Sequence, residues 1–483
     1  MEKKKNVIII GGGISGLSTA YHLQESARAS GLPVSYTLIE GENRLGGKII
    51  TEQSDGFTVE GGPDCFLRQK PWAAELSHKL GLGDDLMGTN DERRKLFVVN
   101  KRRLTPLPDG VMLIIPTRIT PFVTSTLISW SGKMRMGMDL LIPPRKSNGD
   151  ESIANFVRRR LGEEALEKIA EPLLSGIHVS DPEDQSLLAT FPRFRDLELK
   201  YGNLIFGMLA QMRAAQKATP TNPTPVAQNT PSSLFITLKN GLGQVINALE
   251  NQLMDGQIVK GTKVVSVERT ADGSYMVETQ DGRKFVGCAV VLATPAYISA
   301  DLLNGIAPEL STRLKTIRYV TTATISLGYA RSELNHALHG FGFVVPRRER
   351  KEKHVVTACT WTSTKFNHRV AEENALIRCF VGGPGQEEVV ERDDESLIRA
   401  VLHDLKELMG ITAYPVFIRI YRWHKANPQY DVGHLDKVGE IQALCAQFSG
   451  LYVTGSAFEG VGVPDCVRQG KQTAQKLITD IGF

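Results

Sequence analysis

The chain has 483 residues, of which 41% are hydrophobic and 23% are charged, and its formal net charge is +4. This length and composition are typical of a globular protein with two or three domains. The small net charge, with no helix-turn-helix, zinc-finger or aromatic RNA-binding motif in the sequence, argues against a nucleic-acid partner. Six scattered cysteines without a C-x-x-C pair argue against a disulfide framework or a zinc site, and they suit a reducing, cytoplasmic setting.

The sequence predicts neither a targeting signal nor a membrane-spanning segment. The apolar run after Lys3-Lys4-Lys5 is too short for a secretory signal. No uninterrupted apolar run approaches the ~18 residues of a membrane helix. His336 and His339 are close in sequence but lack further ligands, so we expect no metal.

The first predicted element is a short apolar strand that ends in a glycine turn. Residues 6–10 form the strand, and a helical pattern follows from Leu17. The turn between them fits G-x-G-x-x-G with Gly11, Gly12, Gly13, Ile14, Ser15 and Gly16. Strand, glycine turn and helix in this order begin a dinucleotide-binding unit, in which backbone and helix N-terminus bind a pyrophosphate.

The second predicted strand, residues 34–40, ends in an acid. Glu40 lies about 20 residues beyond the last glycine of the turn, the spacing of a ribose-binding carboxylate. Because its charge would repel a 2′-phosphate, Glu40 favours FAD or NAD over NADP. A surface glutamate at a strand end is the alternative.

Two further glycine loops separate FAD from NAD. The first contains Arg44, Gly46, Gly47 and Lys48, and the second follows a strand at 56–60 with Gly61, Gly62 and Pro63. With Glu40, these loops resemble those of the flavin amine oxidase superfamily, which includes monoamine oxidases, phytoene desaturases and protoporphyrinogen oxidases. The resemblance implies that the residues of both loops contact FAD, together with Val264 and Thr294.

The middle of the chain predicts a helical region and then a sheet. Residues 96–108 are predicted to form a hairpin. The stretch 111–144 is apolar and contains Met134, Met136 and Met138. We favour core packing of these methionines over contact with a membrane or a bulky ligand. Helices follow at 151–161 and 164–174, and we interpret Arg158-Arg159-Arg160 as a solvated face.

Residues 214–233 are proline-rich and predict a flexible loop. After the loop, three strands with Asp-Gly turns predict a β-meander at 264–286, and a buried strand at 288–295 returns the chain to the nucleotide-binding domain. A substrate domain is expected from one mixed sheet, backed by a helix at 395–409, with strands at 321–329, 341–345, 355–361, 376–381 and 417–422.

The last segment again indicates a flavin site. Residues 451–456 predict a strand, and the helix after it begins in a stretch that contains Glu459, Gly462, Val463 and Pro464. Gly455 resembles the second FAD-contacting glycine of the superfamily. The helix N-terminus near Val463 is expected to face the flavin N1–C2=O edge and to stabilise anionic reduced flavin. A plain terminal helix with a glycine cap is the alternative.

Four longer stretches resemble the porphyrinogen oxidases, namely residues 61–67, 171–177, 422–430 and 454–466. They are most similar to the soluble form found in Gram-positive bacteria, whose preferred substrate is coproporphyrinogen III. The resemblance implies FAD-dependent oxidation of that substrate with dioxygen in haem biosynthesis, with hydrogen peroxide as by-product and ferrochelatase as a transient partner. The choice against protoporphyrinogen rests on subfamily likeness alone. No catalytic side chain is identified, because the flavin carries the chemistry.

The propionates of such a substrate need cationic or N–H partners at the pocket mouth. Arg68 and Lys70 are the candidates because they follow the Gly-Gly-Pro loop, and solvated charges are the alternative. One face of the macrocycle is expected to lie on Ser175, Gly176 and Ile177, with a simple turn as the alternative. We interpret His424 as structural, since no partner is identifiable from the sequence, and a role in proton release is the alternative.

The sequence therefore predicts an α/β fold with a Rossmann-like FAD-binding domain formed by residues 1–70, 235–300 and 440–483. A mixed α+β substrate-binding domain takes residues 71–95, 180–234 and 301–439. Residues 96–179 form a mainly helical subdomain that is also the candidate for peripheral membrane contact. The other functions considered are an amine oxidase and a porphyrin carrier without turnover. An amine oxidase would need an aromatic cage beside the flavin and often a lysine that contacts N5, whereas the final segment offers Phe458 and Glu459 instead.

Overall fold

The structure, a computed structural model, describes residues 4–112, 114–217 and 230–480. Its strands are β1 (Lys5–Ile10), β2 (Val34–Ile39), β3 (Thr51–Ser54), β4 (Phe57–Glu60), β5 (Phe66–Leu67), β6 (Leu86–Gly88), β7 (Leu96–Asn100), β8 (Arg103–Pro106), β9 (Val111–Met112), β10 (Ile115–Pro116), β11 (Phe235–Leu238), β12 (Gln257–Val259), β13 (Val264–Arg269), β14 (Tyr275–Thr279), β15 (Lys284–Gly287), β16 (Ala289–Leu292), β17 (Tyr319–Ala330), β18 (Gly342–Val344), β19 (Val356–Thr360), β20 (Asn374–Gly382), β21 (Phe417–Pro428) and β22 (Leu451–Val453).

Its α-helices are α1 (Ile14–Ser30), α2 (Trp72–Lys79), α3 (Ile119–Thr124), α4 (Trp130–Gly137), α5 (Ile153–Arg160), α6 (Glu163–Ala165), α7 (Glu171–His178), α8 (Leu187–Thr190), α9 (Pro192–Tyr201), α10 (Leu204–Lys217), α11 (Gly243–Gln252), α12 (Ala296–Leu303), α13 (Pro308–Lys315), α14 (Arg347–Lys353), α15 (Thr362–Lys365), α16 (Asp394–Met409), α17 (His434–Cys445) and α18 (Val463–Asp480). A π-helical turn, Leu166–Ala170, joins α6 to α7. Most of the predicted flexible loop, residues 218–229, lies outside the described residues.

The first strand lies at the centre of a five-stranded parallel sheet with the order β12-β2-β1-β16-β22. Val7, Ile8 and Ile9 on β1 are fully buried, because helices or other strands cover both faces of the sheet. Val7 pairs with Ala289 on β16, and β16 in turn pairs with β22 near the other end of the chain. The predicted return of distant segments to the nucleotide-binding sheet is therefore confirmed.

The β-meander is also confirmed, with the order β13-β14-β15. The larger sheet has seven strands in the order β21-β17-β20-β19-β18-β7-β8. Its first five strands correspond to the predicted substrate sheet. The hairpin β7-β8 joins the same sheet, because Gly342 on β18 pairs with Leu96 on β7. The domain boundaries remain a prediction, but this hairpin contacts the mixed sheet as well as the helical region.

The helical region from α3 to α10 has its own core around Phe156, Ile169 and Phe194. Met136 lies in this core, as predicted, whereas Met134 is 73% and Met138 49% exposed. None of the helices in the described ranges combines the length and apolarity needed to span a bilayer.

The interpretation of Arg158-Arg159-Arg160 as a solvated face is wrong for Arg160. Its side chain is fully buried and donates from Nε to Asp139 Oδ1 at 2.6 Å. The other oxygen of Asp139 accepts the backbone N–H groups of Leu204 and Ile205 at the start of α10. Asp139 therefore joins α5 and α10 through one buried carboxylate.

A buried histidine on α1 is expected to make the stability of the protein depend on pH. Burial lowers the pKa of His22 to about 4, and its Nδ1 lies 2.8 Å from the Ser18 carbonyl. Because the unfolded chain binds a proton near pH 6.5 and the folded ring does not, stability is lost as pH falls from about 6.5 to about 4. We expect His22 to contribute about 2–3 kcal/mol to the loss in unfolding free energy between pH 7.5 and 4.5.

Urea unfolding of His22→Leu at both pH values checks this expectation. The variant should lose less stability on acidification than the wild type. His403→Leu is the matched control, because His403 is an exposed residue of α16. Equal pH dependence in wild type and His22→Leu would contradict the assignment.

Candidate flavin and substrate site

The glycine turn after β1 forms a cradle with open space at one position. A Cβ on Gly16 would lie 1.9 Å from the Gly11 carbonyl oxygen, so α1 packs directly against the turn. By contrast, a Cβ on Gly13 would have Gly47 Cα at 4.0 Å as its nearest neighbour. The first bond of α1 runs from the Leu17 N–H to the Gly13 carbonyl, which leaves the preceding helical N–H groups for a ligand.

Glu40 lies at this cradle. Its Oε2 accepts the Gly12 N–H at 2.6 Å and its Oε1 accepts the Glu42 N–H at 2.8 Å. The carboxylate thus stands at the carboxyl end of β2 beside the turn, the place expected of a ribose-binding acid. A Cβ built on Gly11 would be 3.3 Å from Thr294 Cγ2, so Thr294 borders the same turn.

Val264 begins β13 and is buried close to the end of β2. The residue before it, Lys263, lies 4.0 Å from a Cβ built on Gly41, which follows Glu40. Val264 therefore borders the nucleotide end of the site. Whether it contacts the cofactor remains a prediction.

The loop with Arg44 and Gly46 lies against the cradle. The Gly46 N–H donates to the Gly12 carbonyl at 2.8 Å, and Gly13 and Gly46 form a β-bridge. The Arg44 side chain folds back on its own loop and donates to the Gly47 carbonyl at 2.7 Å. Contact between Arg44 and FAD remains a prediction.

Lys48 joins this loop to the seven-stranded sheet, because its Nζ donates to the Ala426 carbonyl on β21. Burial lowers the pKa of the Lys48 ammonium to about 8. A Cβ on Gly62 would lie 1.9 Å from the Lys48 carbonyl oxygen, so the second glycine loop packs on the first. The predicted loops at Arg44–Lys48 and Gly61–Pro63 are thus neighbours.

The two ends of the chain meet at the cradle. A Cβ on Gly455 would lie 3.6 Å from Ser15 Oγ, and Ser18 Oγ donates to the Val467 carbonyl on α18 at 3.0 Å. The glycine turn and the segment at Gly455 therefore lie side by side, and contact of Gly13 and Gly455 with one FAD remains a prediction. Buried Thr454, beside Gly455, has a hydroxyl without a hydrogen-bond partner among the described residues.

The N-terminus of α18 carries a charge that the sequence analysis missed. The Asp465 carboxylate lies under the turn before the helix, 3.0 Å from a Cβ built on Gly462. Lys70 donates to both oxygens of Asp465, at 2.6 and 2.8 Å. Val463 and Pro464 open the helix as predicted. The two residues that form this pair are 395 positions apart, so no local pattern indicates it.

Tyr430 and His434 hold the turn between β22 and α18. Tyr430 donates to the Ser456 carbonyl and accepts the Gly460 N–H, and its ring stacks on His434 at 3.8 Å. The Glu459 side chain is engaged by Arg468 and Gln442, both at 3.0 Å. The Glu459 backbone also has protein partners, since its carbonyl accepts from Arg468 and its N–H donates to Gln469, so contact between Glu459 and flavin remains a prediction.

The predicted substrate residues lie in two places. Arg68 is exposed, and its backbone N–H donates to the Leu234 carbonyl. Gly176 is exposed in the last turns of α7, which also contains Ser175 and Ile177, so this segment is helix rather than a simple turn. Burial, followed by the charge of Lys70, lowers the pKa of His178 to about 4, which places Lys70 within electrostatic reach of the end of α7.

His424 does have a partner. Its Nδ1 lies 3.1 Å from Glu391 on the surface, which suits a structural role. His336 packs against Trp361, with the ring centroids 5.1 Å apart. The described parts of the chain contain no cluster of three or more residues that would hold a metal ion.

Comparison with known proteins identifies the class of protein to which the chain belongs. The family model for flavin-containing amine oxidoreductases matches residues 14–478, and the chain belongs to this family. It is therefore a flavin-dependent oxidoreductase, and its cofactor is FAD. The residues present fit this group: the cradle is open at Gly13, Glu40 stands beside it, and the buried Thr454 hydroxyl lacks a protein partner among the described residues.

Individual relatives bear names that are more specific than the family description. The chain is 38% identical over 477 residues to coproporphyrinogen III oxidase of Bacillus subtilis (strain 168), covering 99% of this chain and 98% of the relative. It is 36% identical to coproporphyrinogen III oxidase of Staphylococcus aureus (strain NCTC 8325 / PS 47), covering 99% and 100%. A solved structure from Exiguobacterium sp. 255-15, provisionally named protoporphyrinogen oxidase, has a TM-score of 0.85 and 33% identity, covering 98% of both chains.

Proposed function

We propose that the protein oxidises coproporphyrinogen III to coproporphyrin III in haem biosynthesis, with dioxygen as acceptor and hydrogen peroxide as by-product. One observation carries the proposal: full-length identity of 38% and 36% to two coproporphyrinogen III oxidases, in a chain whose ends meet at one flavin cradle. Three rounds of two-electron oxidation, with proton loss and tautomerisation, give the aromatic macrocycle.

In this reaction the main task of the protein is to position the substrate. A meso carbon of the substrate is flanked by pyrroles whose nitrogens stabilise the cation left by hydride removal, so no strong base is needed. Bound flavin supplies the hydride acceptor. The chain's part is to orient the macrocycle, with Arg68 and Lys70 binding propionates and Gly176 on α7 next to one face.

Two other enzymatic functions have less support. The Exiguobacterium structure bears the name of a protoporphyrinogen oxidase, which keeps that substrate as the second candidate. An amine oxidase needs an aromatic cage at the flavin. Here Phe458 is buried and Glu459 binds Arg468, so neither residue offers such a cage. A carrier without turnover is the non-enzymatic alternative.

A fluorescence assay with purified FAD-loaded protein tests the proposal. Coproporphyrinogen III in air should yield coproporphyrin fluorescence well above the autoxidation rate, with hydrogen peroxide formed in step. Binding without any such rate would favour the carrier, and a faster reaction with benzylamine or a polyamine would favour the amine oxidase. Faster turnover of protoporphyrinogen IX would reverse the order of the first two candidates.

Lys70 should matter more for a tetracarboxylate than for a dicarboxylate substrate. Lys70→Glu places a second carboxylate beside Asp465 and removes the cation that we propose for propionate binding. We expect its KM for coproporphyrinogen III to rise about tenfold, and its KM for protoporphyrinogen IX to rise less, because charge-assisted hydrogen bonds to carboxylates are lost. Lys79→Glu, an exposed change on α2, is the control. Equal effects on both substrates would remove Lys70 from this role.

Peripheral contact with an anionic membrane is a further part of the proposal. It is supported by exposed apolar side chains on and around α4, here called the α4 patch: Val123, Trp130, Met134, Met138, Leu140 and Leu141. Beside the patch, at Thr126 and Ser129, opens a groove that is also lined by Lys101, Arg103 and Lys168. Apolar side chains bordered by cations suit the surface of an anionic bilayer.

Vesicle sedimentation tests this contact. The wild type should bind vesicles with phosphatidylserine, and high salt should weaken binding. A variant with Trp130→Ser and Met134→Ser should bind about tenfold less, since two apolar side chains no longer enter the bilayer. Leu199→Ser, an exposed apolar residue on α9, is the control. Wild-type protein that stays in the supernatant would contradict the contact.

The proposal places the protein in the cytoplasm, at times on the inner face of the membrane. All six cysteines are free thiols, which suits a reducing compartment. The proposed product, coproporphyrin III, belongs to the class of compounds into which metal is inserted. Transient contact with a ferrochelatase is therefore part of the proposal. A saturable change in the ferrochelatase's fluorescence on titration would support that contact, and its absence at high concentration of both proteins would refute it.

A further inference from the structure

Three side chains of the seven-stranded sheet hold the loop at Gly61 and Gly62. Arg378 on β20 donates from one nitrogen to the Gly61 carbonyl at 3.2 Å and to the Gly62 carbonyl at 2.5 Å. Trp423 on β21 and Thr324 on β17 also donate to the Gly61 carbonyl, at 2.9 and 3.0 Å. The strands β21, β17 and β20 are neighbours in the sheet, so the donors converge on two consecutive peptides.

The loop at Gly61 and Gly62 has close neighbours on both sides. A Cβ on Gly61 would lie 2.9 Å from the Tyr421 ring, and one on Gly62 would lie 1.9 Å from the Lys48 carbonyl oxygen. The backbone is thus packed between the sheet on one side and the Arg44–Lys48 loop of the cradle on the other.

This arrangement orients one N–H group. In a trans peptide the N–H points opposite to the carbonyl, and the Gly61 carbonyl points at the sheet donors. The N–H of Gly62 therefore points away from the sheet. No group among the described residues accepts a hydrogen bond from it.

Buried Arg378 has no directly paired carboxylate among the described residues. Arg378 is 3% exposed, its Nε has no partner in the described ranges, and the carboxylates that act on its charge, Asp64 and Glu60, do so without a direct ion pair. Asp64 is paired instead with Lys365 at 3.0 Å. Burying a guanidinium without a directly paired carboxylate is unfavourable for folding, so a role at the loop carbonyls explains its presence better than stability does.

We propose that Arg378 is a positioning residue of the flavin site, which fixes the Gly61–Gly62 peptides and keeps the Gly62 N–H directed at the bound ligand. The inference adds a positioning residue to the flavin site of the proposed enzyme. It rests on the proposed function only where turnover is measured. Its readouts on FAD itself are independent of the substrate.

Replacing Arg378 tests the inference in the FAD-loaded protein. For Arg378→Met we expect FAD to bind about ten- to a hundredfold more weakly, the range for losing hydrogen bonds from a charged group, and the visible spectrum and midpoint potential of the bound flavin to shift. Arg378→Lys should restore part of each change. Trp423→Phe should weaken FAD binding by about two- to tenfold, as for a lost neutral hydrogen bond.

Arg369→Met is the matched control. Arg369 is equally buried, but its partners are Glu60, Thr237 and the Lys239 carbonyl rather than the loop. It should lower the unfolding midpoint while leaving FAD affinity and spectrum within about twofold of wild type.

Wild-type FAD affinity, spectrum and potential in Arg378→Met would overturn the inference, as would equal changes in Arg369→Met. If Arg378→Met does not fold, Arg378→Lys and Trp423→Phe decide, and unchanged FAD readouts in both would overturn it. Should the wild type fail to oxidise porphyrinogens while these FAD changes occur, the proposed function fails and the role of Arg378 stands.

Discussion

Replacing Gly13 with valine is expected to give a folded protein that holds no FAD. The backbone at Gly13 has φ −71° and ψ 174°, which valine adopts without strain, and the nearest atom to a new Cβ is 4.0 Å away. The branched side chain would instead occupy the space in which the pyrophosphate approaches the backbone. We expect a colourless protein whose unfolding midpoint equals that of wild-type protein stripped of FAD.

A second glycine variant separates loss of cofactor from loss of structure. Gly16→Ala brings a Cβ to 1.9 Å from the Gly11 carbonyl oxygen, so α1 must move away from the turn. This variant should lose both FAD and stability, whereas Gly13→Val loses FAD alone. Absorbance of the purified proteins and urea unfolding measure the two effects. Normal FAD content in Gly13→Val would refute the assignment of the cradle.

Asp139→Asn is expected to destabilise the protein by about 3–5 kcal/mol, because it removes the nearer carboxylate of a buried ion pair and leaves Arg160 with Glu198 at 3.6 Å as its carboxylate partner. Both Arg160 and Asp139 are fully buried, and Asp139 also accepts two backbone N–H groups of α10. The loss should be largest in the helical region. Hydrogen exchange in α5 and α10, with urea unfolding of the whole chain, measures it.

Asp301→Asn is the control for this prediction. Asp301 also pairs with a cation, Lys315 at 3.1 Å, but its side chain is 68% exposed. Exposed pairs contribute little, so a change within about 0.5 kcal/mol is expected. If both variants lose the same stability, burial of the Asp139 pair is not what stabilises the helical region.

Much of the fold is predictable because its signals are local. The apolar strand before Gly11, the acid at Glu40 and the strand before Gly455 each combine a short buried run with a residue of defined chemistry. Parallel strands bring their carboxyl ends to one edge of a sheet, so these residues belong to one site whatever lies between them. The meeting of Gly455 with Ser15 follows from that rule.

The residues that the sequence does not reveal depend on partners far along the chain. Lys70 looks like a free cation until the fold brings Asp465 to it. Arg160 ends a helix, where a cation is normally solvated, and its burial is explained by two distant carboxylates, Asp139 and Glu198. Arg378 lies in an apolar strand without any local pattern that indicates its contact with Gly61 and Gly62.

The hairpin β7-β8 illustrates the same limit for topology. Its strands and turn are evident from Leu96 to Pro106, but its neighbour in the sheet is not. The pairing of Leu96 with Gly342 joins segments that are far apart, and strand pairing of this kind is decided by side-chain packing in the folded protein. Local propensity therefore gives the hairpin but not the sheet to which it belongs.

Anaerobic mixing of the FAD-loaded protein with coproporphyrinogen III tests the central claim most directly, because it observes the cofactor and the substrate in one event. We predict that the yellow flavin absorbance bleaches at least as fast as steady-state turnover, and that air restores it with release of hydrogen peroxide and coproporphyrin. A flavin that stays oxidised with coproporphyrinogen III, or that bleaches only with an amine, would contradict the account.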